Sequence, residues 1–340
     1  MEHAMDNIYA DSFERLLLEH CTPQAVRAVE HGKGADELWN VIEASGFGNV
    51  LLPEEADGAG LSLDEAFTLF ELCGAFALPL PLAETIVARA LLTAAQQPVP
   101  VGSIAWGAGT ISGNVLRGDA VAYGAVAHYV LLHFADGTAS LLPADAALRE
   151  PGLFPLDAHL EWPTDALEKA GRIELPDVDF LAVHACLSAV QLAGILQATF
   201  ERTLEYANER SQFGRPIGKF QALQHQLSVM AEHVSSARMA AQLGCRGRPG
   251  QIMRPAAAIA KILTSEAARE VAAIAHSIHG AIGLTEEFDL QLYTRRLYWL
   301  RQAAGAEGFW EGELGALALS RSERAIDLVR EYSDVHKDDR

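Results

Sequence analysis

The sequence predicts a mainly α-helical protein with a small central antiparallel β domain. Two observations carry this. Apolar residues recur at helical spacing over residues 1–97 and again over 179–332. Between them, residues 98–178 hold short apolar runs of strand character, separated by glycine-bearing turns. The chain divides into an N-terminal helical domain (1–97), a short β domain (98–178), a C-terminal four- or five-helix bundle (179–332) and a charged, frayed tail (333–340).

Local signals place the elements. Ser62 and Glu65 have capping-box spacing, and Leu63, Ala66, Phe67 and Phe70 then line one helix face. Pro79 and Pro81 end that helix, and another follows over 83–95. Strands are expected at 104–106, 120–134, 139–142, 160–162 and 172–175. Gly118-Asp119 and Asp136-Gly137 read as hairpin turns between them. Asp177 or Asp179 caps a helix over 180–210. Further helices are expected over 219–243, from Pro255 onward, over 290–304 and over 309–329.

Composition narrows the function. The chain has 340 residues, half of them apolar and 21% charged, enough for two or three domains around a large core. A net charge of −19 argues against nucleic acid or an anionic membrane as the main partner. The apolar run over 120–135, interrupted by His128 and His133, is too short to span a bilayer, so no membrane span is expected. The first residues lack the apolar centre of a secretory signal. Cys21, Cys73, Cys186 and Cys245 form no C-x-x-C pair, which fits free thiols in a reducing cytoplasm. His276 and His279 lie one helical turn apart, but no third ligand is spaced for zinc, so no metal is expected.

The stretch Glu205–Gln221, EYANERSQFGRPIGKFQ, carries the chemistry. Gly214, Pro216 and Gly218 break a helical pattern there and set Arg210, Gln212 and Phe213 at the break. Such a corner either offers a guanidinium and backbone N–H groups to an anion, or is a plain αα corner with an exposed arginine. The string ER-x-QFG-x-x-I-x-x-FQ resembles the signature of the acyl-CoA dehydrogenase family. His279–Thr285 (HGAIGLT) resembles that family's HGG-x-G-x-T turn, with Arg295 following at the family distance. Pro53–Ala66 (PEEADGAGLSLDEA) is similar to its PEE-x-GG-x-G-x-S motif.

The resemblance implies an acyl-CoA dehydrogenase-like fold, FAD as cofactor and α,β-dehydrogenation of an acyl-CoA thioester. It also implies that the N-terminal helices help wall the acyl-chain pocket. Arg210, Gln212 and Phe213 match positions that reach the flavin pyrophosphate and adenine across a subunit interface. Phe220 and Gln221 match a nearby adenosine-facing pair. Gly280 and Gly283 match a turn that admits the adenosine diphosphate moiety, with Ser277 in place of the usual glutamine; the alternative is a plain helix cap.

Two departures stand out. The TEP-x-x-GSD string that seats the flavin ring is missing from 104–119, and the β domain is shorter than the family's. The common position of the catalytic glutamate, twenty-one residues past Gly283, is Ala304. The alternative position, twenty-six residues before Arg210, is His184, and Glu307 lies one turn past Ala304. His184 is either a base or a core residue, and Glu307 serves only if the corner is rebuilt.

Three functions follow from the resemblance. One is a subunit of a hetero-oligomer whose second family chain supplies the base, as in the heteromeric acyl-CoA dehydrogenases of bacterial steroid and cholesterol breakdown. Another is a homo-oligomeric enzyme with a displaced base. The third is a helical scaffold that has lost flavin. Neither the acyl group nor the electron acceptor is specified by the sequence.

Overall fold

The computed structural model describes residues 2–175, 177–321 and 324–333. Five helices come first: α1 (Glu2–His20), α2 (Pro23–Glu30), α3 (Ala35–Ser45), α4 (Leu63–Ala75) and α5 (Leu82–Ala94). The Ser62 capping box forms in full, with Ser62 N donating to Glu65 and Glu65 N donating to Ser62 Oγ. Upstream of that cap, Gly58 lies on the Leu52 backbone, where a Cβ would stand 2.0 Å from Leu52 O.

The middle of the chain forms β1 (Ile104–Ser112), β2 (Val115–Val121), β3 (Tyr129–His133), β4 (Thr138–Pro143), β5 (Leu148–Pro151), β6 (Ala158–Pro163), a short α6 (Asp165–Ala170) and β7 (Ile173–Glu174). The sheet order is β5-β6-β2-β1-β3-β4-β7. The sheet is mixed rather than wholly antiparallel, because β3 runs parallel to β1. β6 occupies the open side of β2, so the chain leaving β2 crosses to the far side of β1 and starts β3 in the direction of β1. Gly118-Asp119 is not a turn either. It lies inside β2 at a register shift, and the β1–β2 turn is at Gly113, with φ +59°. Asp136-Gly137 does join β3 to β4.

The second helical region holds α7 (Phe180–Glu209), a two-residue hairpin of β8 (Ser211–Gln212) with β9 (Arg215–Pro216), α8 (Gln221–Gly244), α9 (Arg254–His279), α10 (Leu290–Gln302), α11 (Glu307–Ser320) and α12 (Ala325–Ser333). Asp179 is the cap of α7, accepting from Ala182 N at 3.0 Å. The single helix expected over 309–329 is instead two, since the backbone turns extended at Arg321. Of the expected tail, 334–340 lie outside the described residues.

The core is built around α7, which packs on α4, α8, α9 and α10. Its burial on nearly all sides explains its composition. An apolar window in α7 is long enough to cross a membrane, and 83% of that window is buried inside the fold. Two glycines let α4 and α7 cross at backbone contact. A Cβ at Gly194 would stand 1.9 Å from Glu71 O, and one at Gly74 would stand 2.0 Å from Gln191 O. Gly194→Ala is therefore expected to destabilise the protein by at least roughly 1–3 kcal/mol, the cost of overpacking. An unchanged urea midpoint would contradict this crossing.

Candidate functional site

At the corner after α7, the hairpin turn places Phe213 at φ +50° and Gly214 at φ +79°. Consecutive positive φ values suit a two-residue hairpin, but a bulky residue pays about 1–3 kcal/mol for that conformation. Phe213 is 90% exposed, so little burial within the chain offsets this. Its ring meets Phe220 edge-on at 6.2 Å, and the Arg215 guanidinium lies 4.2 Å from the Phe220 ring centre. The corner is pinned by Arg210 N donating to Tyr206 O at 2.9 Å and Ile217 N donating to Arg210 O at 2.8 Å.

Opposite stands the end of α9. Gly280 has φ +64° and ψ −145°, a combination essentially confined to glycine. Nothing lies within 4 Å of where its Cβ would be, so the surface there is open. Corner and turn enclose a cleft of about 400 Å³ whose lining includes Arg210, Gln212, Phe213, Phe220, Ser277 and Gly280. Six of the eight sequence-predicted residues thus converge, although α7 and α9 end seventy residues apart (Glu209 to His279).

Gln221 and Gly283 do not line the cleft. Gln221 is exposed at the start of α8. Gly283 is a packing glycine, where a Cβ would stand 2.9 Å from Leu290 Cδ2 and 3.0 Å from His279 Cβ. His279 joins the lining unforeseen, stacked on Tyr206 with centroids 4.4 Å apart. Its neighbour His276 bonds Thr294 Oγ1 at 2.9 Å. Among the described residues no group of three or more His, Cys, Asp or Glu is placed to hold a metal.

A second cleft, of about 610 Å³, lies between the β domain and the α10–α11 corner. Both expected base positions, Ala304 and His184, line it, together with Ala120, Ala122, Trp299 and Asp157. Ala304 sits at φ +53° and its carbonyl accepts from Trp310 Nε1 at 2.9 Å. Buried Lys261 fixes the same corner by donating to the last carbonyls of α10, Leu300 O at 2.9 Å and Arg301 O at 2.8 Å.

Burial, with the positive fields of His133 and Lys261, pushes the His184 imidazole down to about 4. Taking up a proton there is disfavoured. Glu307 is committed to Arg301, which it meets with both oxygens, and the hydrogen bonds hold its carboxyl below the usual range. Asp157, unforeseen from sequence, is the one carboxylate of the cleft lining. It accepts from Trp299 Nε1 at 2.8 Å, and burial pushes it up to about 6.

Comparison with known proteins places this geometry in a family. The acyl-CoA dehydrogenase C-terminal domain profile matches residues 178–309. The acyl-CoA dehydrogenase IpdE2 of Mycolicibacterium smegmatis is 32% identical over 298 residues, covering 85% of this chain and 91% of that one. The ChsE4–ChsE5 complex from Mycobacterium tuberculosis contains a chain with the same fold, at a TM-score of 0.80 and 20% identity, covering 94% of this chain and 98% of that one. The Tcur3481–Tcur3483 steroid ACAD gives a TM-score of 0.76 at 23% identity, covering 94% of this chain and 99% of that one. The chain belongs to the acyl-CoA dehydrogenase family, whose members are FAD-dependent oxidoreductases acting on CH–CH bonds.

Proposed function

We propose that this chain is one subunit of a hetero-oligomeric acyl-CoA dehydrogenase. It lends the cleft at Arg210 to the adenosine diphosphate end of an FAD whose ring and catalytic carboxylate belong to a second family chain. The observation that carries the reading is the contrast between the two clefts. The first is open and bears a free-standing aromatic, with Arg210 and Ser277 for anionic and hydroxyl groups. The second has alanine at the common base position and a hindered imidazole at the other.

The residues of the first cleft fit the group. A guanidinium forks onto phosphate oxygens, and the Cβ-free face at Gly280 admits close approach. On the β-domain side of the second cleft Ala120 and Ala122 bring no side-chain donor to a flavin ring, whereas Arg295, Tyr298 and Gln302 line it from α10. A bound FAD would supply the hydride acceptor for the β hydrogen of the thioester. This chain's part is to hold the cofactor's far end. The fold relatives ChsE4–ChsE5 and Tcur3481–Tcur3483 are paired chains, which agrees with a paired assembly, and the latter being a steroid ACAD favours a ring-bearing acyl group on coenzyme A. Free buried thiols at all four cysteines favour the cytoplasm.

Arg210→Ala tests the reading. Flavin retention by the co-purified assembly is expected to weaken by roughly 1.5–3 kcal/mol, the range for a charge-assisted hydrogen bond. Arg210→Lys should recover only part of this, because an ammonium cannot make the forked contact. Unchanged flavin content in Arg210→Ala would make Arg210 a surface residue.

Asp157 favours a second reading, a self-sufficient enzyme with a displaced base. It is a carboxylate in the cleft that holds both family base positions. Against it, one oxygen is engaged by Trp299. Loss of turnover by the isolated chain on Asp157→Asn would establish this second reading.

A further inference from the structure

His279 is bound to the rest of its helix in a way that fixes its chemistry. Its Nδ1 donates to Ala275 O at 2.7 Å, a carbonyl near the end of α9 that can only accept. The proton therefore sits on Nδ1, and Nε2 is left as an acceptor. The ring cannot turn to exchange the two nitrogens without losing that bond. It also packs against Tyr206, stacked at 4.4 Å, and Phe288 at 5.0 Å, two rings that meet each other at 5.7 Å. Burial lowers its affinity for a second proton.

Nε2 is buried without a hydrogen-bond partner. Of the described residues that hold such an unpartnered buried atom, His279 is the one that lines the Arg210 cleft. An orphaned buried acceptor costs about 1–3 kcal/mol, which a donor brought from outside the chain would recover. Phosphate oxygens are not donors. On an adenine nucleotide the donors are the exocyclic amine and the ribose hydroxyls.

We infer that His279 Nε2 accepts a hydrogen bond from the adenosine part of the nucleotide and so sets which nucleoside the cleft takes. The inference rests on the nucleotide reading of the cleft. It divides the cleft into a phosphate end at Arg210 and a nucleoside end at His279. The role is specificity and positioning, not chemistry on the substrate.

Calorimetry on the flavin-free assembly of this full-length chain with the second family chain tests it, with ADP as probe against three analogues. These are purine riboside diphosphate, which lacks the amine, and 2′-deoxy-ADP and 3′-deoxy-ADP, which each lack one hydroxyl. One analogue is expected to bind the wild-type assembly roughly three- to tenfold more weakly than ADP, the net worth of one neutral hydrogen bond. The identity of that analogue names the donor. His279→Phe keeps an aromatic ring against Tyr206 but has no acceptor. It should bind ADP more weakly and no longer discriminate against that analogue. His279→Gln, with an amide oxygen, should restore part of the discrimination. A residue that only supports the fold would weaken all four ligands alike. Undiminished discrimination in His279→Phe, or equal binding of all four ligands by the wild-type assembly, overturns the inference while leaving the cleft a nucleotide site. If ADP does not bind the wild-type assembly, or binds the Arg210→Ala assembly equally well, the nucleotide reading fails first and the inference with it.

Discussion

Purified alone and supplied with FAD, this chain is expected to oxidise acyl-CoA esters about 10²–10⁴-fold more slowly than a family member with its base in place, the usual worth of positioned proton transfer. Ala304 has no proton-accepting group, and it stands where the motif spacing leads one to expect the base. Protonating His184 would create a cation where burial and two neighbouring basic groups oppose it. Glu307 is spent on Arg301 and does not line the cleft. Ala304→Glu by itself should not recover activity. The corner is held by Lys261 and Trp310, but Ala120 and Ala122 of the β domain, which line the same cleft, offer no side-chain hydrogen bond to a flavin ring. A dye-coupled assay over esters from short-chain to steroid-derived measures this. Turnover in the ordinary family range, lost on His184→Ala, would make His184 the base. The same turnover lost on Asp157→Asn would make it Asp157.

Glu84→Gln is expected to raise stability above neutral pH and to flatten its pH dependence. Glu84 lies in the interior on α5, 2% exposed. Oε1 accepts from Gln191 Nε2 at 2.9 Å, and Gln191 in turn accepts from the Tyr123 hydroxyl at 2.9 Å. Oε2 has no partner. Burial raises the carboxyl from the ordinary 4.5 to about 7. The sign follows from proton counts. Between these two values the folded protein keeps the proton while the unfolded chain releases it. The unfolded state then binds fewer protons, so stability falls as pH rises through this window, by roughly 3 kcal/mol across it. An amide keeps the bond to Gln191 and has no charge to bury. Urea midpoints at about pH 5 and about pH 8 decide the matter. Wild type should lose stability between them and Glu84→Gln should lose much less; parallel losses would mean that Glu84 does not titrate in this window.

Helices were legible where one face meets solvent. Leu63, Ala66, Phe67 and Phe70 announce α4, and the Ser62–Glu65 pair announces where it starts. The corner at Arg210 was legible because its glycines and proline are local demands of the backbone, and the motif then directed attention to Ser277 and Gly280 across the cleft. Strand order was not legible. That β3 lies beside β1, parallel to it, depends on β6 having taken the other side of β2, and β6 is forty-six residues further along (Leu116 against Trp162 at the centre of the pairing). His279 and Asp157 were missed for a related reason. Their chemistry is set by distant partners: Trp299 for Asp157, and Tyr206 and Phe288 for His279. His279 opens the HGAIGLT motif beside Gly280, and that local signal could have pointed to its place in the cleft.

The central claim is that this chain completes a flavin site whose ring and base lie on another chain. The most direct measurement is the flavin absorption of the protein after gel filtration, prepared alone and prepared by co-expression with a second family chain that carries the catalytic carboxylate. The account predicts little bound flavin in the first preparation. In the second it predicts one co-eluting assembly containing both chains with stoichiometric FAD, lost when Arg210 is replaced by Ala. Full flavin occupancy in the chain prepared alone, together with acyl-CoA turnover, would contradict it.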